Sequence, residues 1–259
     1  MLATGKPVLN LAKPYNDETK LQPNYNPGSG YDPQNPYEGR DPRFYASIHF
    51  NGSTVLVNGT PIKVETFVGG NCGISNDRSH TRTGYYNRKY MHPEAGQLRP
   101  QDDGLWKHYR LGAVYLNAAE AAAQTGGTEE AMKYVNTIRH RAGFSPSVDI
   151  KANSKEEAVL YVHHERQVEL CYEEYRYFDT RRWCKPDEDN TCEKFSTGMR
   201  ITRNGDNTFS YQRVLVGTLS TETPSKMSYE KKYHLLPIPL DEVSKLESQT
   251  GISWQNTGW

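Results

Sequence analysis

The stretch LWKHYRLGAVYLNAAEAAAQTGGTEEAMKYVNTIRHRAGF, residues 105–144, decides how the rest of the chain is read. Its apolar positions Leu105, Tyr109, Ala113, Leu116 and Ala123 recur at helical spacing, and its alanines favour helix by propensity, which predicts a first helix over 105–124. Gly126-Gly127 stops it. Thr128 then reads as the cap of a second helix, with Glu129 and Glu130 in its first turn and Arg139, His140 and Arg141 in its last, both suited to the macrodipole. Gly143 stands where a left-handed residue ends a helix. The pair forms an αα-hairpin of about the 34-residue length of a tetratricopeptide unit, without that repeat's Trp/Leu/Gly signature.

Toward the C-terminus, Ser154-Lys-Glu-Glu157 fits the S-x-x-E capping box of a third helix whose pattern runs to about Arg182, before Pro186. This predicts one long rod, or one kinked near Tyr175. Beyond it, 199–202, 208–216 and 233–238 lean toward strand, broken by Asn204-Gly205, Pro237 and Pro239, and the end reads as irregular coil. Toward the N-terminus, seven prolines before residue 43 (Pro7, Pro14, Pro23, Pro27, Pro33, Pro36 and Pro42) nearly exclude regular structure. Residues 48–50, 53–57 and 62–67 are β-patterned and separated by Asn51-Gly52 and Asn58-Gly59, which predicts one or two hairpins.

The 31 Lys+Arg balance 31 Asp+Glu in the 259 residues, so the chain lacks the basic excess that nucleic acid or an anionic membrane would select. Hydrophobic residues make up 35%, a modest core, while 18 tyrosines favour a loop-rich protein with polar aromatic faces. No run approaches the roughly 20 apolar residues needed to span a bilayer. The start shows no signal-peptide pattern and no nearby cysteine for lipid attachment, which leaves a cytoplasmic chain, a mature fragment or a truncation as the expectation. Among the four cysteines, Cys184 and Cys192 bracket a short loop that a disulfide could close, and no C-x-x-C pair exists.

His163-His164-Glu165 invites a metal reading, but H-E-x-x-H fails because Val168 stands where the second histidine is needed, so no metal site is assigned. Asp187-Glu-Asp-Asn190 lacks the glycine and terminal glutamate of a calcium loop, and Asp102-Asp103 reads as an acidic approach to the first helix. No P-loop, G-x-G-x-x-G or G-x-S-x-G occurs, and no cofactor is expected. Glu165, Arg166, Glu169, Glu173, Arg176, Asp179, Arg181 and Arg182 crowd the long helix. Paired carboxylates can serve acid–base or glycosidic chemistry only when they face a cleft. Like charges spaced by four on a helix instead call for intervening cations, so a structural ion network of Arg110, Arg139, Arg141, Glu165, Arg166, Glu169, Asp179 and Arg182 is expected, with no catalytic residue. Loop tyrosines mixed with Asn, Asp, Arg and Gln suit a carbohydrate platform, and Tyr31, Tyr37, Tyr45, Tyr85, Tyr86 and Tyr90 are its candidate ligand contacts. Many of these rings would equally serve to staple long loops onto the helices.

Arg110-Leu111…Tyr115-Leu116-Asn117…Ala119-Glu120-Ala121 and Asn136…Ile138-Arg139-His140-Arg141-Ala142-Gly143 resemble the SusD/RagB family of outer-membrane nutrient-binding lipoproteins. Glu165-Arg166…Glu169-Leu170…Glu173…Arg176…Phe178-Asp179…Arg181-Arg182-Trp183 follows that family's order, as do Leu235-Leu236-Pro237-Ile238-Pro239…Glu242 and Gln255-Asn256-Thr257-Gly258-Trp259. Glu174, Leu236 and Thr257 depart from its usual Gly, Trp and Pro. The resemblance covers that family's C-terminal half and implies a mainly α fold: a tetratricopeptide-like helix pair plus a long helix, with extensive irregular loops and short β-hairpins. The chain is then one SusD-like C-terminal domain over 1–259, made of a loop-rich insertion (1–104), a helical core (105–183) and a C-terminal part with loops, short strands and the closing signature (184–259). The resemblance further implies a non-catalytic, surface-exposed glycan-binding protein of the outer membrane, with oligosaccharide as ligand and a SusC-like TonB-dependent transporter as partner. Membrane attachment would come only from a lipid anchor on a missing N-terminal segment. Peptide or other nutrient capture on the same scaffold, or a glycoside hydrolase using the helix carboxylates, are the alternatives.

Overall fold

The computed structural model describes residues 1–17, 22–74, 79–91, 107–183, 196–216 and 231–259. Asp102-Asp103, Leu105, Trp106, the Cys184–Cys192 pair and Asp187–Asn190 lie outside the described residues.

Within the proline-rich start, strands β1 (Tyr15–Asp17) and β2 (Gln22–Pro23) pair antiparallel, and helix α1 (Pro42–Ser47) begins at Asp41. The Asp41 carboxylate accepts the Arg43 N–H, and Pro42 occupies the first helical turn, where its missing donor costs nothing. Regular structure, expected to be nearly excluded before residue 43, is confined there, among the described residues, to these two short strands and the start of α1. Proline is barred from helix interiors, not from helix starts.

Strands β3 (Ile48–His49), β4 (Thr54–Val57), β5 (Thr60–Lys63) and β6 (Tyr86–Asn87) follow. β4 and β5 form a hairpin through Asn58-Gly59, both at positive φ (52° and 79°) as a type I′ turn requires. Asn51-Gly52 makes a turn closed by the Ser53 N–H on the Phe50 carbonyl, but β3 pairs with β6 instead of β4, so no hairpin joins 48–50 to 53–57.

Helix α2 spans Leu111–Gln124 and α3 spans Thr128–Arg141. The first helix starts at Leu111 instead of Leu105 because Arg110 is extended (φ −149°, ψ 159°). The cap of α3 is Gly127, with the expected cap Thr128 inside the helix, and Gly143 (φ 100°) follows its end. Ser154 Oγ accepts the Glu157 N–H at 3.1 Å to open α4 (Lys155–Glu169), while the Glu157 carboxylate takes the Asn153 N–H and leaves the box one residue out of register.

The long rod is two helices. α4 ends at Glu169 and α5 (Tyr175–Trp183) resumes after a break in which Tyr172 (φ 61°) and Glu174 (φ 65°) are left-handed. Glu174 thus carries a backbone that costs a non-glycine residue roughly 1–2 kcal/mol. Strands β7 (Thr197–Arg203) and β8 (Phe209–Leu215) form an antiparallel hairpin. The expected strand over 233–238 is instead a short 3-10 helix, Lys231–His234, followed by coil. The expected terminal coil holds helix α6 (Leu240–Thr250), with Asp241 and Glu242 in its first turn and Gly251 (φ 71°) closing it.

The fold is mainly α, and its core is split. Ala119, Ala122, Ala123, Ala131, Met132, Val135, Ile150, Ala158 and Val162 join α2, α3 and α4, the alanines allowing close approach. Ala113, Leu116, Ile138 and Leu170 form a second cluster at the other end of the hairpin. A third, Phe67, Met199 and Ile201, lies under Tyr37, Tyr85, Phe209 and Tyr211 and holds the loops to the β7–β8 hairpin. There the Met199 N–H donates to the Thr83 carbonyl at 2.8 Å, an approach that requires Gly198, since a Cβ on it would lie 2.7 Å from that oxygen. No helix among the described residues is long and apolar enough to cross a membrane.

Candidate functional site

The row of carboxylates on α4 points into protein. Glu165 is fully buried and Glu169 is 2% exposed. Between them lies Arg43 of α1, whose Nη1 donates to Glu165 Oε1 at 2.5 Å and to Glu169 Oε2 at 2.9 Å while Nη2 pairs with Asp41 at 2.7 Å. Arg110 Nη1 donates to Glu169 Oε1 and its Nε to Glu173 Oε2, each at 2.6 Å, and Arg141 Nη2 reaches the same Glu169 oxygen at 2.6 Å. Lys89 pairs with Glu173. Arg139 is fully buried, stacked 4.3 Å from the Phe144 ring centroid, with its Nη1 4.0 Å from Glu165.

A second set sits where α5 returns to α2. Arg166 grips Asp179 through Nε and Nη2 (3.0 and 3.1 Å) and donates to Asn117 Oδ1 at 2.7 Å. Arg182 bridges Asp179 to Glu120, and Trp183 Nε1 donates to Glu120 Oε1 at 2.9 Å. The His163 ring stacks on Trp183 with centroids 3.6 Å apart. All eight residues of the network expected from sequence lie in these two sets. Sequence reasoning missed Asp41, Arg43, Lys89 and the role of Glu120. A cap residue followed by proline at 41–42 is the one available signal for the first two.

The electrostatics follow from burial set against pairing. Burial alone would raise the Glu169 and Glu173 carboxyls, but hydrogen bonds from Arg43 and Arg110 to the first, and from Arg110 and Lys89 to the second, hold both below the usual range. Glu120 is depressed by His163, Arg182 and Trp183 against its burial, and Asp41 by Arg43. Burial wins at Glu165, whose carboxyl is raised despite Arg43 and whose Oε2 accepts no hydrogen bond. His164 is pushed down to about 3 by burial, with neighbouring cations adding to it.

These shifts set a pH dependence. Unfolded His164 takes a proton below its ordinary 6.5 and the folded ring does not until about 3, so stability falls as pH drops through that window. The depressed carboxyls add a steeper loss below their ordinary values of 3.8 and 4.5, while the raised carboxyl of Glu165 runs the other way. Because Glu165 gains stability over the same acid window in which His164 loses it, the His164 effect is read as a difference: between about pH 6.5 and 5 the melting temperature of His164→Gln by circular dichroism is expected to fall less, or rise more, than that of the unsubstituted chain. Parallel profiles for the two proteins over that window would contradict it.

The six loop tyrosines are all half-buried. Tyr37 lies among Phe44, Phe50, Tyr85 and Tyr211, with centroids 4.6–6.2 Å away. The Tyr45 hydroxyl donates to the Tyr37 carbonyl at 2.6 Å and accepts the Arg40 N–H, and the Tyr86 hydroxyl donates to the Cys72 carbonyl at 3.0 Å and accepts the Thr81 N–H. Tyr31 packs on Tyr25 (5.2 Å) under Arg40, and Tyr90 has a left-handed backbone (φ 71°). Tyr37, Tyr45, Tyr85 and Tyr86 therefore hold the loops to the third core cluster or to one another. Among the described residues, no three His, Cys, Asp or Glu side chains converge in a way that could hold a metal ion.

The profile of the SusD family matches residues 3–259. The chain belongs to the SusD family. A SusD-like protein of Bacteroides fragilis superposes with a TM-score of 0.69 at 25% identity, covering 98% of this chain and 46% of that one. The protein BT4246 gives a TM-score of 0.67 at 26% identity over 100% of this chain and 43% of its own. A third structure, described as a SusD-like carbohydrate binding protein of Bacteroides fragilis, is 21% identical with a TM-score of 0.53 over 83% of this chain and 44% of that one, and shares the fold. This SusD family chain thus spans less than half the length of the solved structures it matches. No protein with a curated description matches it.

Proposed function

We propose that this SusD family chain captures oligosaccharide at the surface of the outer membrane, does not cleave it, and passes it to a SusC-like TonB-dependent transporter. The observation that carries the reading is the family match across 3–259. The description of one structural neighbour as carbohydrate binding points the same way. Burial of Glu165 and Glu169 under three guanidiniums weighs against the hydrolase alternative, because neither carboxylate can reach a glycosidic oxygen.

Ligand contact falls to aromatic rings on the loops. Within the set Tyr31, Tyr37, Tyr45, Tyr85, Tyr86 and Tyr90, the hydroxyls of Tyr45 and Tyr86 are committed to backbone, so Tyr31 is the ring to test first. Calorimetry against a panel of neutral and acidic oligosaccharides is expected to give saturable binding in the micromolar to millimolar range, where a few stacked rings and wet hydrogen bonds commonly land. Tyr31→Ala should weaken it several-fold, with no new reducing ends after prolonged incubation. Silence across every glycan class would overturn the proposal, and cleavage would restore the hydrolase.

A further inference from the structure

Arg43, Arg110 and Arg166 end on carboxylates. Among the described residues, half-buried Arg40 and Arg213 are instead held by neutral acceptors alone. Arg40 donates from Nε to the Met1 carbonyl at 3.2 Å and from Nη1 to the Pro36 carbonyl at 2.9 Å. Arg213 Nη2 donates to Thr197 Oγ1 at 2.6 Å and to the Tyr15 hydroxyl at 3.4 Å, and its buried Nε has no acceptor among the described residues. Both guanidiniums lie by tyrosines, Arg40 5.8 Å from the Tyr31 ring centroid and Arg213 5.9 Å from that of Tyr15. Tyr31 in turn packs on Tyr25. Gln34 ties this loop to the strand that carries Arg213: its Nε2 donates to the Tyr211 carbonyl at 3.1 Å and its Oε1 accepts the Tyr211 N–H at 3.2 Å. Exposed Asp32, the acid beside Tyr31, turns its oxygens onto its own loop, to the Gln34 N–H at 2.8 Å and Asn35 Nδ2 at 3.1 Å.

Resting on glycan capture as proposed above, we infer that the Tyr25–Tyr31 ring pair, with Arg40 and Arg213, takes an acidic oligosaccharide and pairs the two guanidiniums with its carboxylate or sulfate groups. A guanidinium already closed on a carboxylate has spent its charge. One held by a carbonyl or a hydroxyl keeps it, and half-burial removes part of the water that would screen it. Leaving such a cation without a counter-charge costs folding free energy, which a bound anion offsets. The planar fork of arginine matches a two-oxygen acid group, and the rings supply apolar faces for sugar C–H surfaces. Burial pushes the Tyr31 phenol up to about 12 and raises that of Tyr25, so both rings stay neutral at physiological pH and add no negative charge that would repel an anion. The charge of Arg213 reaches both rings and that of Arg40 reaches Tyr31, which brings the four groups within electrostatic range of one ligand. The Gln34 amide, a group that would serve the hydroxyls of a neutral sugar, is committed to the Tyr211 backbone.

Calorimetry on the 259-residue chain with matched ligand pairs tests this. The pairs are oligogalacturonate and its methyl ester, oligoguluronate and its methyl ester, and a carrageenan oligosaccharide and its desulfated form. In at least one pair the acidic member is expected to bind about tenfold or more tightly than its neutral counterpart at low salt, the scale of a charge-assisted hydrogen bond. That ratio should shrink severalfold at about 0.5 M salt. Arg213→Gln should bring it near one, and Arg213→Lys, which keeps the charge and loses the fork, should leave it in between. A ratio confined to the uronides assigns a carboxylate, and one confined to carrageenan a sulfate ester. Should Arg213→Gln not fold, the salt series on the unsubstituted chain and Arg213→Lys carry the test. Acidic and neutral members bound alike in every pair, or a ratio indifferent to salt and to Arg213, would overturn the inference and leave glycan capture standing. So would silence across these pairs alongside binding of other neutral glycans, whereas silence across every glycan class overturns both.

Discussion

Arg43→Ala is expected to cost about 3–5 kcal/mol of folding free energy, the scale for removing one partner from a buried ionic cluster. The substitution strips Glu165 of its only hydrogen-bond donor among the described residues and leaves a fully buried carboxyl with Arg139, 4.0 Å away, as its nearest remaining cation there. Glu169 suffers less, because Arg110 and Arg141 still hold it. Among the described residues Asp41 keeps only the backbone N–H of residue 43 as a side-chain hydrogen-bond donor. Urea denaturation reads the loss as a lower midpoint at unchanged slope. Arg43→Met combined with Glu165→Met should recover the part of the loss that comes from stranding Glu165, while the part from Asp41 and Glu169, which still lack the guanidinium, remains. A loss below about 1 kcal/mol would place the cluster among solvent-screened surface pairs and undo its structural reading.

Leu116→Ala is the second large effect, at about 2–5 kcal/mol. Leu116 is fully buried and packs with Ala113, Ile138 and Leu170, so it touches α2, α3 and the segment that ends α4. Small neighbours such as Ala113 cannot swell to fill the void, and the cavity adds its own cost to the lost transfer free energy. Leu116→Met should cost less than about 1.5 kcal/mol because it keeps the volume. The same urea series measures both.

The two residues differ in how far sequence leads to them. Leu116 is legible: a 3.6-residue period in an alanine-rich run names the buried face from spacing alone. So are the Asn58-Gly59 turn and the ends of α3, where local chemistry dictates local shape. Arg43 is not legible, because its glutamate partners lie more than a hundred residues away and its helix is a short one inside a proline-rich segment. The carboxylate row can be read as needing cations, but α4 does not say which loop delivers them. Helix α6 carries ordinary start and stop signals in Pro239, Asp241, Glu242 and Gly251, and the prolines that precede it make the region read as coil. The tyrosines show the converse limit, since composition flags a ring without telling which face a loop turns outward.

The salt links from α1 to α4 join residues 122 and 126 positions apart. Such distant closures weigh on folding speed more than on final stability, because the entropy of a large loop is lost before the contact rewards it. During synthesis the arginine leaves the ribosome long before the glutamates that need it. Helices α2 and α3 can coil as soon as they emerge, yet α4 cannot bury its acids until the leading segment swings back to meet them. A cut in the intervening loops of a finished molecule should be tolerated, whereas loss of that leading segment should leave the helical part unable to close.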